Sequence, residues 1–362
     1  MTERLQKMAQ RMLVRGLTHM ILAPGASFEY VTGKHIHKSE RLTLLGMTQD
    51  GTMALIVPLL EEETYRDHDE WSIFTFQDED GYEIARDNFV RFLNLTQSSK
   101  IGIEHDQLRL FEADALRGVA QGFTTADDLV MGLRLIKDET EINAIERAAG
   151  IVDQALQDML PILKAGMAEV EVAAELEYRM RRLGSAGVPF STIVCAGERA
   201  ALPHGEPSDR RIREGELVVL DYGAMVHGYS ADTTRTLSFG DPGQEAHHVY
   251  ETVKKAQAMA LSIIRSGITA QEVDRAARDI IEDAGFGPYF THRTGHGLGL
   301  DVHEFPSIMR GNDLRLEPGM VFTVEPGIYV PSQLGVRIED DVVVTSDGVR
   351  ILTQFTKELI II

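Results

Sequence analysis

The stretch GELVVLDYGAMVHGYSADTTRTLSF, residues 215–239, contains two apolar strands around a turn. The first strand is almost entirely apolar before Asp221, which is typical of a buried strand, where an ionised aspartate is costly unless it is paired or binds a metal. Asp221 and Asp232 are symmetric about the middle of AMVHG, so a hairpin closed there predicts near neighbours across the strands, on one face. Such like charges require a protonated carboxyl group, an intervening base or a cation. The alternative is a surface ion pair between Asp232 and Arg235.

A second hairpin is predicted for MVFTVEPGIYVPSQLGVRIEDDVVV, residues 320–344. Glu325 and Glu339 are symmetric about Ser332, so two further carboxylates meet across a pair of apolar strands. Four converging carboxylates cannot all be ionised and buried without cations. Two divalent ions with carboxylate bridges meet this requirement, and oxygen ligands with one imidazole suit Mn, Co, Zn or Fe.

The stretch THRTGHGLGLDVHE, residues 291–304, holds three of the 12 histidines. Its glycine spacing differs from that of a dinucleotide-binding loop, and its His-Glu pair lacks the second histidine of the helical zinc motif. The glycines predict a short strand that passes close to other groups. His296, between two glycines, is the candidate imidazole ligand, and His292 and His303 are further candidates for function.

The composition is that of a globular chain with an acidic surface. The formal net charge is −20 over 362 residues, which disfavours binding to nucleic acid or to an anionic membrane. The single cysteine, Cys195, excludes an intrachain disulfide, and its apolar surroundings favour a buried, inert side chain. No secretory or membrane-spanning segment is predicted, so we expect a cytoplasmic protein.

The length of the chain predicts two domains. Residues 1–124 alternate strand and helix patterns without a glycine-rich phosphate fingerprint, which predicts an α/β unit with no chemistry of its own. The boundary is predicted between residues 124 and 125, in GFTTADDLV. Beyond it, strands rich in glycine and proline accompany helices predicted near 138–160, 170–184, 246–264 and 271–284.

The candidate ligands, taken in order, resemble a known signature. With the surrounding words LDYG, SADTTRT, GHGLGLDVHE, EPGIY and GVRIED, they resemble the five-ligand pattern of the pita-bread metallopeptidases, which include methionine aminopeptidase, aminopeptidase P and prolidase. The resemblance covers roughly residues 130–362. The preceding residues resemble the creatinase-like N-terminal domain of the proline-specific branch, which methionine aminopeptidases lack. The resemblance implies an α+β fold with a creatinase-like domain at 1–124 and a pita-bread catalytic domain at 125–362.

The resemblance also implies roles for individual residues. Asp232 and Glu339 would bridge two divalent metal ions, most simply Mn, while Asp221 would bind one ion and His296 and Glu325 the other. A hydroxide held between the ions would attack the peptide carbonyl, with Glu325 moving the proton. The further family positions are His204 and His303 as catalytic residues, His292 and His303 as substrate-binding residues, and Arg337 as a catalytic residue or the partner of a carboxylate.

The implied activity is hydrolysis of Xaa-Pro dipeptides, and proline dipeptidases of this kind form homodimers. One alternative is an aminopeptidase P that releases the residue before proline from longer peptides. A dipeptidase needs a cation for the free carboxylate, and GKHIHKSERL offers His37 and Arg41, although a solvated charged loop explains the same residues. The short loop between Glu325 and Glu339 favours the dipeptidase. The remoter alternative is a binding module without metals.

Overall fold

A computed structural model describes residues 3–68, 70–120 and 122–362, and in it the chain folds as two compact units that divide between Arg134 and Leu135. The division follows the helix Asp127–Arg134, so this helix belongs to the first unit. The boundary predicted between residues 124 and 125 precedes that helix. Within the described ranges, no helix combines the length and the apolar character needed to cross a bilayer.

The first unit is a mixed sheet with helices. Its strands are β1 (His19–Leu22), β2 (Leu44–Thr48), β3 (Met53–Pro58), β4 (Ser72–Phe76), β5 (Ile101–Ile103) and β6 (Phe123–Thr125). Their spatial order is β4-β3-β2-β1-β5-β6, with β2 antiparallel to both neighbours and the other pairs parallel. Its helices are α1 (Glu3–Arg15), α2 (Ala26–Thr32), α3 (Glu83–Phe92), α4 (Leu110–Ala115) and α5 (Asp127–Arg134), and a 3-10 helix spans Leu59–Tyr65.

The second unit contains long helices and several small sheets. Its helices are α6 (Glu139–Met159), α7 (Glu169–Arg182), α8 (Gly243–Ile263) and α9 (Ala270–Asp283), with 3-10 helices at Leu160–Ile162, Gly197–Ala201 and Gly287–Tyr289. Its strands are β7 (Ile193–Ala196), β8 (Glu216–Val226), β9 (Tyr229–Phe239), β10 (Gly295–Gly297), β11 (Glu304–Ile308), β12 (Val321–Val324), β13 (Gly327–Val330), β14 (Leu334–Arg337), β15 (Asp340–Val344) and β16 (Val349–Ile351).

The two pairs of helices in the second unit take part in different apolar cores, and β12 and β15 contribute side chains to both. Helices α6 and α7 share an apolar core with β7, β8 and β9, which lie side by side in that order. Helices α8 and α9 share another core with strands of the β11-β10-β12-β15-β16 sheet and with the β13-β14 pair. The strands therefore turn their other faces, which carry the candidate ligands, away from the helices.

Helix α6, which frames the first of these cores, begins with a side-chain cap. Asp138 accepts the backbone N–H of Glu141 at 2.9 Å, and the Glu141 carboxylate accepts the N–H of Asp138 at 2.7 Å. This reciprocal pair satisfies donors that the first turn of α6 leaves free. Helix α6 ends at Met159, two residues before Pro161, which cannot continue the hydrogen-bond ladder.

Candidate metal centre

The β8–β9 hairpin carries the two candidate aspartates, but its turn lies one residue later than the sequence predicts. Val226 pairs with Tyr229, and the turn residues His227 and Gly228 have φ values of 51° and 80°, the backbone of a tight two-residue hairpin turn. In this register Asp232 pairs with Gly223 and not with Asp221. The aspartates are therefore diagonal neighbours, and they stay on one face because the pairing slips by two residues.

The second hairpin has the predicted centre. Val330 pairs with Leu334 around Ser332, and Gly327 with Arg337. The next ladder continues in the same register, with Val324 opposite Asp340. Glu325 and Glu339 occupy the matching positions between the two ladders, so the sequence-based pairing of these carboxylates about Ser332 is confirmed.

His296 lies at the centre of β10, between neighbouring strands that approach its backbone very closely. A Cβ atom at Gly295 would lie 1.8 Å from the carbonyl oxygen of Thr323, and one at Gly297 would lie 2.1 Å from the carbonyl oxygen of Phe305. Only glycine fits at both positions. The prediction that these glycines allow close approach is confirmed, and the approach fixes the His296 ring.

The candidate ligands converge. His296 Nε2 lies 3.2 Å from Glu325 Oε1 and 3.7 Å from Asp232 Oδ2. One ligand atom each from Asp232, His296 and Glu339 lies within 4.8 Å of the others. Asp221 is joined to this group through Arg337, whose Nη2 donates to Asp221 Oδ2. The structure thus brings all five sequence-predicted ligands to one place in the second unit.

Burial makes this cluster electrostatically unfavourable without a cation. Burial, followed by the charges of Glu339 and Asp221, raises the pKa of Asp232 well above its usual range. Burial and the charge of Glu325 also raise the pKa of Glu339 well above its usual range. Burial raises the pKa of Glu325 to about 7. These carboxylates resist ionising together, and a divalent ion between them would remove that cost.

The imidazole points its free lone pair at the carboxylates. Burial, and then the neighbouring His303, hold the pKa of His296 well below its usual range, so the ring is neutral. Its Nδ1 lies 3.2 Å from the Gly297 carbonyl oxygen, which only accepts, so Nδ1 carries the hydrogen. Nε2 is then an acceptor that faces the acceptor Glu325 Oε1, an arrangement that a bound cation converts from repulsive to attractive.

Two further observations fit a metal site. The Oδ1 atoms of Asp221 and Asp232 are buried and lack a hydrogen-bond partner among the described residues. One oxygen of each glutamate is oriented by a hydroxyl group, because Thr234 donates to Glu339 Oε2 at 2.6 Å and Thr323 donates to Glu325 Oε1 at 3.1 Å. Carboxylates oriented by such partners suit hard divalent cations.

Arg235 does not pair with Asp232. It points to the opposite face of β9, where its guanidinium is 1% exposed and donates to Asp340 Oδ1 at 2.8 Å. The surface ion pair that the sequence allows is therefore wrong, since β9 alternates its side chains and residues 232 and 235 lie on different faces.

Arg337 is buried and donates hydrogen bonds to several acceptors. Besides Asp221, its Nε donates to Thr234 Oγ1 at 2.9 Å, and its Nη1 donates to the Tyr329 hydroxyl at 2.8 Å. Nη1 also lies 3.3 Å from the carbonyl oxygen of Pro203. The guanidinium supplies positive charge beside the carboxylates and connects β8, β9, β13 and the segment that carries Pro203.

His292 is fixed by the same network. Burial lowers the pKa of His292 to about 4, so the ring is neutral. Its Nδ1 donates to the Arg293 carbonyl oxygen at 2.7 Å, so its Nε2 accepts from the Tyr329 hydroxyl at 2.9 Å. Both ring nitrogens have partners, and His292 holds Tyr329 in place for Arg337.

The carboxylate cluster lies at the wall of a cavity of about 700 Å³. The predicted residues His204 and His303 also line it, and the His303 ring lies 4.2 Å from the His296 ring, centroid to centroid. Apolar side chains complete the wall, namely Pro189, Phe190, Ile193, Val302 and Met309. The cavity has room for a small peptide and offers both polar and apolar groups in its wall.

The predicted substrate contacts His37 and Arg41 belong to the first unit. The His37 ring contacts the His35 ring at 4.7 Å, and Arg41 donates to both carboxylate oxygens of Asp78, at 2.8 and 2.6 Å. The Asp78 hydrogen bonds raise the pKa of Arg41 above its usual range. Their contact with substrate stays a prediction.

Sequence reasoning missed the hydroxyl groups that orient the candidate ligands. Tyr329, Thr234 and Thr323 donate or accept hydrogen bonds to Arg337, Glu339 and Glu325, and Asp341 accepts the backbone N–H of Asp232 at 3.0 Å. The available signal was alternation along the strands for three of them, since Thr234, Thr323 and Asp341 each lie two positions from a candidate ligand. Tyr329, which pairs with Gly335, carries no such signal.

Comparison with protein families decides the class. Residues 143–346 match the model described as metallopeptidase family M24, and residues 4–136 match the creatinase/prolidase N-terminal domain. The chain belongs to metallopeptidase family M24. The resemblance inferred from the ligand order is confirmed, as is the α+β fold with a creatinase-like N-terminal domain, and the M24 chain is a metallopeptidase.

Full-length relatives of this M24 chain carry proline-specific names. The Xaa-Pro dipeptidase of Pyrococcus furiosus is 37% identical, over 99% of this chain and 100% of the relative. The structure of a dipeptidase from Pyrococcus horikoshii OT3 has a TM-score of 0.94 at 39% identity, covering 99% of this chain and 100% of the other. The X-Pro aminopeptidase of Thermotoga maritima MSB8 has a TM-score of 0.85 at 33% identity, covering 99% of each chain.

Proposed function

We propose that this M24 metallopeptidase hydrolyses dipeptides whose second residue is proline. The observation that carries the proposal is the group of four carboxylates, three of them buried, and one neutral imidazole at the wall of the cavity, in a chain whose full-length relatives include Xaa-Pro dipeptidases. The bond before proline is a tertiary amide without an N–H, so a peptidase that grips the scissile N–H loses a contact there, and a dedicated site has a purpose.

We further propose that Asp221, Asp232, His296, Glu325 and Glu339 hold two divalent metal ions. The carboxylate-rich donor set suits hard cations, and manganese is our proposal for the native metal. Ions bound there lower the pKa of a bound water and polarise the scissile carbonyl group.

The chain's own residues would move the protons and support the developing charge. Glu325 accepts the proton from the attacking water and passes it to the proline nitrogen as the C–N bond breaks, so the products are a free amino acid and proline. His204 stands at the cavity wall, where a donated hydrogen bond would stabilise the developing oxyanion. His303, against the His296 ring, would orient the substrate.

Arg337 and His292 would act on the geometry of the site. Arg337 neutralises part of the negative charge and orients Asp221 and, through Thr234, Glu339. His292 would contribute to substrate binding by fixing Tyr329, which the guanidinium also contacts. Such outer partners commonly affect metal affinity or activity by about 10–100-fold.

A dipeptidase is favoured over an aminopeptidase P by the short turn Pro331–Gln333 between β13 and β14. His37 and Arg41 remain our proposed partners for the free carboxylate of the dipeptide. Lys34 and Lys38, in the same loop, bind Asp67 at 2.8 Å and Gln107 Oε1 at 2.6 Å. The loop is thus held by partners within the first unit.

The deciding experiment compares a Xaa-Pro dipeptide with the matching Xaa-Pro-Xaa tripeptide on the manganese-supplemented protein. We expect kcat/KM for the dipeptide to exceed that for the tripeptide by at least about tenfold, about 1.4 kcal/mol. Equal or better cleavage of the tripeptide would identify an aminopeptidase P. Cleavage of neither peptide by metal-loaded protein would reject the proline-specific function.

Three further features of the protein are its subunit number, its cellular location and the bounds of its domains. We propose a homodimer, which light scattering on the purified protein tests, and a cytoplasmic location, for which the single cysteine is the support. We also propose that residues 125–362 form the catalytic domain and residues 1–124 the creatinase-like domain. The helix α5, between this boundary and Arg134, is the segment whose assignment differs from the compact units.

A further inference from the structure

Glu169, the first residue of α7, has a fully buried carboxylate that the chemistry above does not use. An ionised carboxylate without solvent is costly unless several donors surround it. Its Oε1 accepts the backbone N–H of Ala196 at 2.9 Å. Its Oε2 accepts the backbone N–H of Ser208 at 3.1 Å, the Ser208 hydroxyl at 2.7 Å and Arg199 Nε at 3.0 Å.

These donors belong to one segment, residues 196–208, and they lie near both of its ends. The segment leaves β7 at Ala196, forms the 3-10 helix Gly197–Ala201, and then carries Pro203 and His204 to the cavity wall. A single carboxylate therefore clamps the beginning and the end of the loop that presents His204. We call residues 196–208 the His204 loop.

Arg199 extends the clamp across the His204 loop. Its Nη2 donates to the carbonyl oxygen of Glu206 at 2.5 Å while its Nε is held by Glu169. The tip of the loop is held from the other side, where Arg337 donates to the carbonyl oxygen of Pro203 at 3.3 Å. Both the base and the tip of the loop thus have charged partners.

The His204 side chain is exposed, so packing around the ring does little to orient it. Its place at the cavity wall depends on the backbone that carries it. The carboxylate also lies at the N-terminus of the fourteen-residue helix α7, where the helix dipole favours a negative charge in that position. The Glu169 carboxylate is therefore stabilised by α7 as well as by its donors in the His204 loop.

We propose that Glu169 is a positioning residue for the peptidase reaction and sets the place of His204 through the His204 loop. This inference rests on the proposed function, in which His204 supports the developing oxyanion. Glu169 touches neither substrate nor metal in this scheme. Its effect is on turnover, because a displaced imidazole loses a contact that matters most in the transition state.

The first test is the substitution Glu169→Gln, which keeps the size of the side chain and removes the charge that pairs with Arg199. We expect kcat for a Xaa-Pro dipeptide to fall about 10–100-fold while KM stays within about a factor of two. Bound metal, measured by mass spectrometry of the purified protein, stays at the wild-type level because no proposed ligand contacts Glu169. Loss of metal in this variant would contradict the inference.

The matched control is Glu171→Gln, two residues further along α7. The Glu171 carboxylate caps the helix by accepting the Ala168 N–H at 2.7 Å, and its side chain is 54% exposed. It makes no contact with the His204 loop in the structure described. We expect this variant to keep wild-type kcat, and an equal fall in both variants would overturn the proposal in favour of a general effect on α7.

A double-mutant cycle separates positioning from mere destabilisation. If Glu169 acts through His204, Glu169→Gln combined with His204→Ala loses no more activity than His204→Ala alone. Losses that multiply would show that Glu169 acts elsewhere and would overturn the proposal. Should Glu169→Gln fail to fold, Ser208→Ala removes one hydroxyl donor of the clamp and is expected to lower kcat in the same direction by a smaller factor, again only when His204 is present.

The outcomes distinguish this inference from the proposed function. Wild-type protein that cleaves no Xaa-Pro peptide when loaded with metal would reject the function itself. Active wild-type protein with an unimpaired Glu169→Gln variant would reject only the positioning role.

Discussion

Arg337 and Asp221 form a buried ion pair between β14 and β8, and the same guanidinium donates to Thr234 and Tyr329. Lysine offers a single ammonium group and cannot reach these acceptors together. We expect Arg337→Lys to weaken metal affinity and kcat/KM by about 10–100-fold, measured by calorimetric titration with Mn²⁺ and by peptide assay. Arg350→Lys, at a half-exposed arginine 3.7 Å from Glu146, is the control and should change neither.

Neutralising Asp232 should have opposite effects on stability with and without metal. In the metal-free protein, Asp232→Asn removes the cost of a buried carboxyl group among like charges and raises the free energy of unfolding, by on the order of 1 kcal/mol. With saturating Mn²⁺ the wild type gains binding energy that the variant lacks, so the wild type becomes the more stable of the two proteins. Thermal unfolding in chelator and in Mn²⁺ tests both signs, and Asp241→Asn, at an exposed side chain, should show neither effect. Full peptidase activity of the Asp232→Asn variant would contradict the proposal that Asp232 binds a metal ion.

His204→Ala should separate metal binding from turnover. His204 lines the cavity but is not a proposed ligand, so we expect bound metal to stay at the wild-type level while kcat falls about 10²–10³-fold, the usual cost of losing an oxyanion donor. Elemental analysis and a peptide assay on the same preparation provide both readouts. His247→Ala, on the outer part of α8, is the control. A metal-depleted His204→Ala protein would mean that this histidine supports the metal centre instead.

Glu104 in the first unit should make stability depend on pH. Its carboxylate is buried, accepts the Ser27 hydroxyl, and has its pKa raised from 4.5 to about 7 by burial. Since the folded chain holds this proton more tightly than the unfolded chain, the stabilisation is complete below about pH 4.5 and is lost as pH rises through 7. Glu104→Gln should remove that loss, on the order of 3 kcal/mol at pH 8 and little at pH 4.5. Chemical denaturation at the two pH values measures it, and a Glu104→Gln curve parallel to wild type would contradict the assignment.

The sequence predicted the site well where strand periodicity controls it. Glu325 and Glu339 meet about Ser332, as expected, because the three-residue turn leaves little freedom for the register. The first hairpin was off by one residue at its turn, because His227 takes a positive φ that composition does not reveal in a residue other than glycine. Asp221 and Asp232 still lie on one face of the hairpin because the strand pairing is shifted by two residues, and side chains alternate with a period of two.

The helix α3 differs from the sequence-based prediction in its N-cap and in part of its apolar stripe. The sequence predicts Asp80 as its cap and an apolar stripe of Ile84, Phe89, Phe92 and Leu93. Phe89 and Leu93 are buried as predicted, whereas Phe92 is 45% exposed. The N-cap position is Tyr82, which makes no side-chain cap, and Ile84 is 72% exposed. The buried face follows Ala85, Phe89 and Leu93, since contact with the sheet chooses among the possible stripes. Hydroxyl partners such as Tyr329 were also missed, because their role depends on which strands become neighbours.

The candidate ligands come from two parts of the second unit. Asp221 and Asp232 lie on β8 and β9, which pack with α6 and α7. His296 lies on β10, and Glu325 and Glu339 adjoin β12 and β15, whose side chains contribute to both apolar cores. Glu339 N–H and the Thr234 carbonyl oxygen, 3.1 Å apart, join the two sets at the site itself. A metal bound there would be held by residues of both parts, so metal binding and the packing of the two parts against each other would be thermodynamically linked.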